Sequence, residues 1–151
     1  MAISAQEVKE LREKTGVSMM ECKRALEEAQ GDMAKALEVL AARAAAAAGK
    51  KADRALGAGI VASYIHNQGQ VGAMVVLSCE TDFVSKNEEF GALARDIAMH
   101  AAAMRPASVE ELLSQPFIKN PEKTVGDLVS GAVQKFGERT EVAQLACFSV
   151  R

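Results

Sequence analysis

Apolar and polar positions in the first fifty residues recur with the three-to-four spacing of amphipathic helices. Ser4-Ala5-Gln6-Glu7 is a capping box, and Ile3 and Val8 bracket it as a hydrophobic staple. Val8 and Leu11 continue the apolar stripe up to Thr15-Gly16. Ser18-Met19-Met20-Glu21 predicts a second capping box, with Val17 and Cys22 as its staple and Gly31 as the stop beyond Leu26. Asp32 offers an N-cap to a third helix carrying Met33, Leu37 and Leu40. Ala41 to Ala48 is nearly all alanine, the best helix former, so that helix is expected to run on with little to pack against. The pattern describes a three-helix mini-bundle over residues 1–50, and a second module over 51–151. Lys50, Lys51 and Arg54 at the boundary read as a solvated linker, with a partner contact the competing reading.

From Gly57 the period changes. Ile60 to His66 is rich in β-branched and aromatic residues, Asn67-Gln68-Gly69 is turn chemistry, and Val71 to Cys79 is apolar and extended, which together predict a hairpin. Ser85-Lys86-Asn87-Glu88 reads as a capping box for a helix through Phe90, Leu93, Ala94, Ile97 and Ala101, ended by Arg105-Pro106. Ser108 caps a short helix with Leu112 and Leu113, Pro116 and Pro121 bracket a loop, and Thr124 starts a helix that stops at Gly137. Val142 to Val150 reads as a strand able to join the hairpin. The second module is therefore expected to be α+β, a small antiparallel sheet with helices on one face.

Composition narrows the chemistry. Hydrophobic residues are 49% of 151 and charged ones 25%, as in a globular chain. A net charge of −2 and aromatic residues at 4% leave neither a basic field nor stacking platforms for nucleic acid. No stretch is apolar and long enough to span a bilayer, and no signal pattern opens the chain, so no membrane is expected. Cys22, Cys79 and Cys147, odd in number and widely spaced, read as reduced thiols of a cytoplasmic protein.

Catalytic signals are weak. Cys79 has no lysine or histidine beside it to lower its pKa and reads as a core thiol. His66 and His100 lack partners at zinc spacings, and Gly57-Ala58-Gly59 lacks the helix a phosphate loop needs, so no metal or cofactor is expected. Protein binding remains. Thr81-Asp82-Phe83-Val84 puts an acid and an aromatic where an extended run gives way to a helix start, and neighbouring side chains there point apart. Phe83 is placed either to project into a partner or to pack beneath its own hairpin. Met19 and Met20 also look like contact elements, with core packing the competing reading for Met19.

These residues resemble the elongation factor Ts family. Val8 to Gly16 followed by Met19-Met20-Glu21-Cys22-Lys23-Arg24-Ala25-Leu26 is similar to the family's N-terminal module, of ubiquitin-associated three-helix fold. Cys79-Glu80-Thr81-Asp82-Phe83-Val84 is similar to its core signature, and Ile97-Ala98-Met99-His100 and Gln115-Pro116-Phe117 also look familial. The resemblance implies a guanine nucleotide exchange factor that makes and breaks no covalent bond and acts on elongation factor Tu. Thr81, Asp82, Phe83 and Val84 are implied to disturb the partner's Mg2+ site, and Met19, Met20, Lys23 and His100 to contribute to binding. A helical excursion usual before Gln-Pro-Phe is absent, since Met104-Arg105-Pro106 leads almost directly to Ser114-Gln115. Compact single-core forms are expected to pair, so a homodimer through the sheet is implied. The rival from another class is an adaptor whose N-terminal bundle grips a helix or a nascent chain through a groove around Gly16 to Met20; thiol enzymology is a distant third.

Overall fold

The computed structural model describes residues 2–151. Three helices come first: α1 (Ala5–Thr15), α2 (Met19–Glu28) and α3 (Met33–Lys50). Each starts at the residue whose side chain can satisfy the free N–H groups of a helix start. Ser4 and Glu7 exchange both bonds of the capping box, and Gly16 closes α1 in the left-handed conformation at φ 69°. Asp32 accepts from Lys35 N at 3.0 Å. The second box is only half formed. Ser18 accepts from Glu21 N, but the Glu21 carboxylate pairs with Arg24 at 3.2 Å and Arg43 at 3.0 Å instead of returning to Ser18. Arg43, reaching back from α3, draws that carboxylate away. Val8, Leu11, Cys22, Ala25, Leu26, Ala36 and Leu40 form the apolar centre of this bundle, with Ile3 packed against it.

The rest of the chain is built on a three-stranded antiparallel sheet. β1 (Ala58–His66) and β2 (Val71–Cys79) form the hairpin, pairing His66 with Val71 and Ala58 with Cys79. The hairpin turns at Asn67-Gln68-Gly69, all with positive φ, and Gln70 N closes it onto Asn67 O at 3.2 Å. A one-turn helix α4 (Asp82–Ser85) and the long α5 (Glu88–Met104) follow. Then come α6 (Val109–Ser114), β3 (Pro116–Phe117), β4 (Asn120–Thr124), α7 (Val125–Phe136) and β5 (Glu141–Ser149). β5 pairs with the free side of β2, giving the order β1-β2-β5. The α+β architecture matches the reading of the sequence.

Alternation along β2 fixes which face is covered. Ala73, Val75, Leu77 and Cys79 point inward onto α5, whose Phe90, Ala94, Ile97, Ala98 and Ala101 are buried with them. Phe90 meets Phe136 of α7 edge-to-face, with ring centroids 5.8 Å apart. Met74 points the other way, and with Val61 and Ile65 of β1 and Phe148 of β5 it leaves an apolar outer face exposed.

Four expectations need correction. The α5 cap is Asn87, accepting from Glu89 N at 2.8 Å; Ser85 is taken into α4, where its hydroxyl donates to Asp82 O. Pro116 and Pro121 sit in a two-stranded ribbon, not a loop, because burial of Phe117 holds β3 to β4 and prolines are tolerated on such edges. The alanine run of α3 does find something to pack on. α3 lies along α7, and Ala44, Ala132 and Val133 are buried there outside both apolar clusters. Lys51 and Arg54 are not a merely solvated linker. Lys51 Nζ donates to Gly137 O at 2.8 Å, and Arg139 Nη1 donates to Arg54 O at 2.5 Å.

Candidate functional site

The junction after β2 is shaped by where its side chains find partners. Thr81 is extended (φ −129°, ψ 154°) and holds the N-cap position of α4, yet its hydroxyl makes no cap bond. It donates instead to Glu138 Oε2 at 2.6 Å. The backbone N–H groups of Glu80 and Thr81 both donate to Glu138 Oε1, at 3.1 and 2.9 Å. Val84 is buried in the sheet–helix core and Ser85 with it, which fastens the far side of the single turn. Asp82 and Phe83 lie between these two fixings and face solvent. Phe83 is 86% exposed, the highest value among the exposed large hydrophobic side chains. The Asp82 carboxylate has no hydrogen-bond or ion-pair partner among the described residues. An acid and an aromatic ring are thus held outward on a short turn, and Phe83 does not pack beneath its own hairpin.

Met19, Met20 and Lys23 stand on the first turns of α2. Met20 is 66% exposed, on the side of α2 away from the buried Cys22, Ala25 and Leu26; Met19 is 43% exposed at the first turn, on the flank of that buried face, so core packing does not describe it. Lys23 is exposed and lies 3.8 Å from Glu27. His100 does not join either surface. It is fully buried on α5, where Ile118 N donates to its Nδ1 at 3.1 Å. The proton therefore sits on Nε2, which bonds Gln115 Oε1 at 2.9 Å, and the ring stacks on Phe117. Both nitrogens are used internally, so His100 ties α5 to the β3 segment and is placed for structure, not for contact.

The thiols are unsuited to nucleophilic work. Cys79 is buried, and its pKa is raised first by desolvation and then by the negative charge of Glu138. Burial likewise pushes the Cys147 thiol up. Among the described residues no group of three or more His, Cys, Asp or Glu side chains could hold a metal ion, and no helix is long and apolar enough to cross a membrane.

Sequence reasoning passed over Glu138 and its neighbour Arg139. Glu138 finds its side-chain partners 57 and 58 residues away and Arg139 meets Glu80 at 59 and Arg54 at 85, and an acid following a helix-ending glycine carries no local signal. The one available hint is Gly137 itself. At φ 73° it ends α7 in the left-handed conformation and turns the chain so that residue 138 leaves the helix sharply.

The family profile described as Elongation factor TS matches residues 2–111 and 80–151, so that every described residue is covered. An elongation factor Ts from Carboxydothermus hydrogenoformans is 42% identical over an alignment of 193 positions, covering 98% of this chain and 89% of the relative. One from Thermodesulfovibrio yellowstonii is also 42% identical, over 99% of this chain and 97% of its own length. Alignments of 193 and 194 positions exceed the 151 residues of the chain, so both relatives carry residues with no counterpart here. A third, from Trichlorobacter lovleyi, is 42% identical over 149 positions that span 99% of this chain but 48% of the relative. With the fold, the outward Asp82–Phe83 pair and similarity along the whole chain in agreement, this protein belongs to the elongation factor Ts family.

Proposed function

We propose that the chain binds the GDP form of elongation factor Tu and speeds GDP release by disturbing that partner's Mg2+ site. The family name implies a nucleotide exchange factor of translation elongation, and the observation that carries the finer reading is the 86% exposure of Phe83 beside an unpartnered Asp82. A GTPase holds its nucleotide partly through Mg2+ bridging phosphate oxygens. The Phe83 ring enters an apolar pocket of the GTPase domain, while Asp82 brings a negative charge that competes with the groups supporting the metal. Thr81 and Val84 fix the turn from either side. Residues 1–50 act as the anchoring module through Met19, Met20 and Lys23, and residues 51–151 as the core that carries the wedge. No covalent bond is made or broken.

Linkage supplies the test. If the chain weakens GDP binding, GDP weakens binding of the chain by the same ratio. Immobilised chain is expected to capture nucleotide-free elongation factor Tu and to lose it as GDP is added. Capture that does not respond to GDP would reject exchange activity.

The same reading includes a homodimer through the outer sheet face. Val61, Ile65, Met74 and Phe148 expose a continuous apolar surface there, and the Ile65 side chain lies over Gly72. A second copy brings an identical patch, which suits a two-fold contact. Phe148→Glu, at a position 66% exposed, is expected to shift the protein to monomer without unfolding it, read by sedimentation across a concentration series. A monomeric mass for the unaltered chain at every concentration rejects the dimer.

A further inference from the structure

The β2–β5 ladder ends at the Ser78–Glu141 pair, but the two chains do not separate there. Side chains take over from the backbone in a reciprocal exchange. Glu138 Oε1 accepts from two successive backbone N–H groups, of Glu80 and Thr81, and Oε2 accepts the Thr81 hydroxyl. In return Glu80 Oε2 accepts Arg139 N at 2.5 Å and lies 3.6 Å from Arg54 Nη1. Bonds to an ionised carboxylate are short and stronger than neutral ones, and successive N–H groups turned the same way make a natural cradle for an anion. All of these bonds fall within three residues of Phe83, on the side of the turn that burial of Val84 does not hold.

We propose that Glu138 is the positioning residue for Phe83, fixing the direction in which the exposed ring leaves the core. This rests on the wedge role given to Phe83 above. Thr81 stands at an N-cap and would ordinarily bond the first turn of its own helix. Here its hydroxyl is turned outward to Glu138, so the start of the turn is tied to the corner that follows α7. The same Gly137–Arg139 corner also receives Lys51 and Arg54 from the end of α3. One corner therefore sets the bearing of the ring and of the segment leading from the N-terminal helices. A preorganised side chain loses little freedom on binding, whereas a loose one must be ordered first.

Stopped-flow release of fluorescent GDP from elongation factor Tu, at increasing concentrations of the chain, separates positioning from simple stability. Glu138→Ala is expected to lower the maximal release rate roughly tenfold while shifting the half-saturating concentration less than threefold. Glu138→Gln keeps one oxygen to accept from both N–H groups and is expected to recover most of the rate. Thr81→Val, which removes only the hydroxyl, falls between them. In a Phe83→Ala background, Glu138→Ala should add less than a twofold loss, because the residue acts through a ring no longer present. Losses that multiply in the double variant, or full rates in both Glu138→Gln and Thr81→Val alongside an unfolded Glu138→Ala, assign the carboxylate to stability alone. A full rate in folded Glu138→Ala also overturns the positioning role. If Phe83→Ala itself releases GDP at the full rate, the wedge fails, and the role given to Glu138 fails with it.

Discussion

Phe83→Ala is expected to slow the GDP release proposed for this chain by roughly thirtyfold and to leave the unfolding midpoint in place. The magnitude follows from the cost of truncating an aromatic anchor that becomes fully desolvated in a partner, about 2 kcal/mol or more, with tenfold for each 1.4 kcal/mol. The unaltered midpoint follows from an exposure of 86%: a ring with little contact to its own chain contributes within about half a kcal/mol to folding. The two readouts together carry the weight. Slow release with a lowered midpoint would be a folding defect, and normal release would remove the wedge altogether. Asp82→Asn, which keeps the shape of the turn, separates the charge from the ring in the same stopped-flow experiment.

Phe90→Ala has the opposite signature, lost stability with no contact to a partner. Phe90 is fully buried at the start of α5, in the same cluster as Val75, Leu77 and Val84, and it meets Phe136 edge-to-face. Truncation removes the ring's transfer energy and leaves a cavity that rigid neighbours on three elements cannot close. The expected loss is about 3–5 kcal/mol, against a total that for single domains is about 5–15 kcal/mol. Urea unfolding followed by far-ultraviolet circular dichroism measures it. A loss below about 1 kcal/mol would mean that the space between α5 and α7 collapses freely and that this core is less tightly packed than described.

The two phenylalanines also mark what a sequence can tell its reader. Ser4, Asp32, Ser108 and Thr124 were legible as helix starts because a cap is settled within four residues. Strand pairing was legible because a turn sequence separates two runs of matching length. Ser85 misled for a local reason: two serviceable caps stand two residues apart, and the one-turn helix before them had already used the first. Ser18 and Glu21 misled for a distant one, since Arg43 competes from another helix. Phe83 stands outward because the neighbouring Val84 takes the inward place, a choice that the tetrapeptide alone leaves open. His100 lies in the interior and not on the binding surface that the resemblance implied, because burial of the imidazole depends on Gln115 and Ile118, which only tertiary folding brings near. Glu138 lay wholly beyond local pattern.

The seam between α3 and α7 has a further consequence. Methyl groups such as those of Ala44 and Ala132 let two helices come close, with Val133 the larger side chain buried beside them. A polar tether adds to the seam at one end, where Lys51 and Arg54 meet the chain just past α7. The N-terminal helices are therefore docked on the sheet module by a thin apolar seam closed at one end by two hydrogen bonds to backbone oxygens.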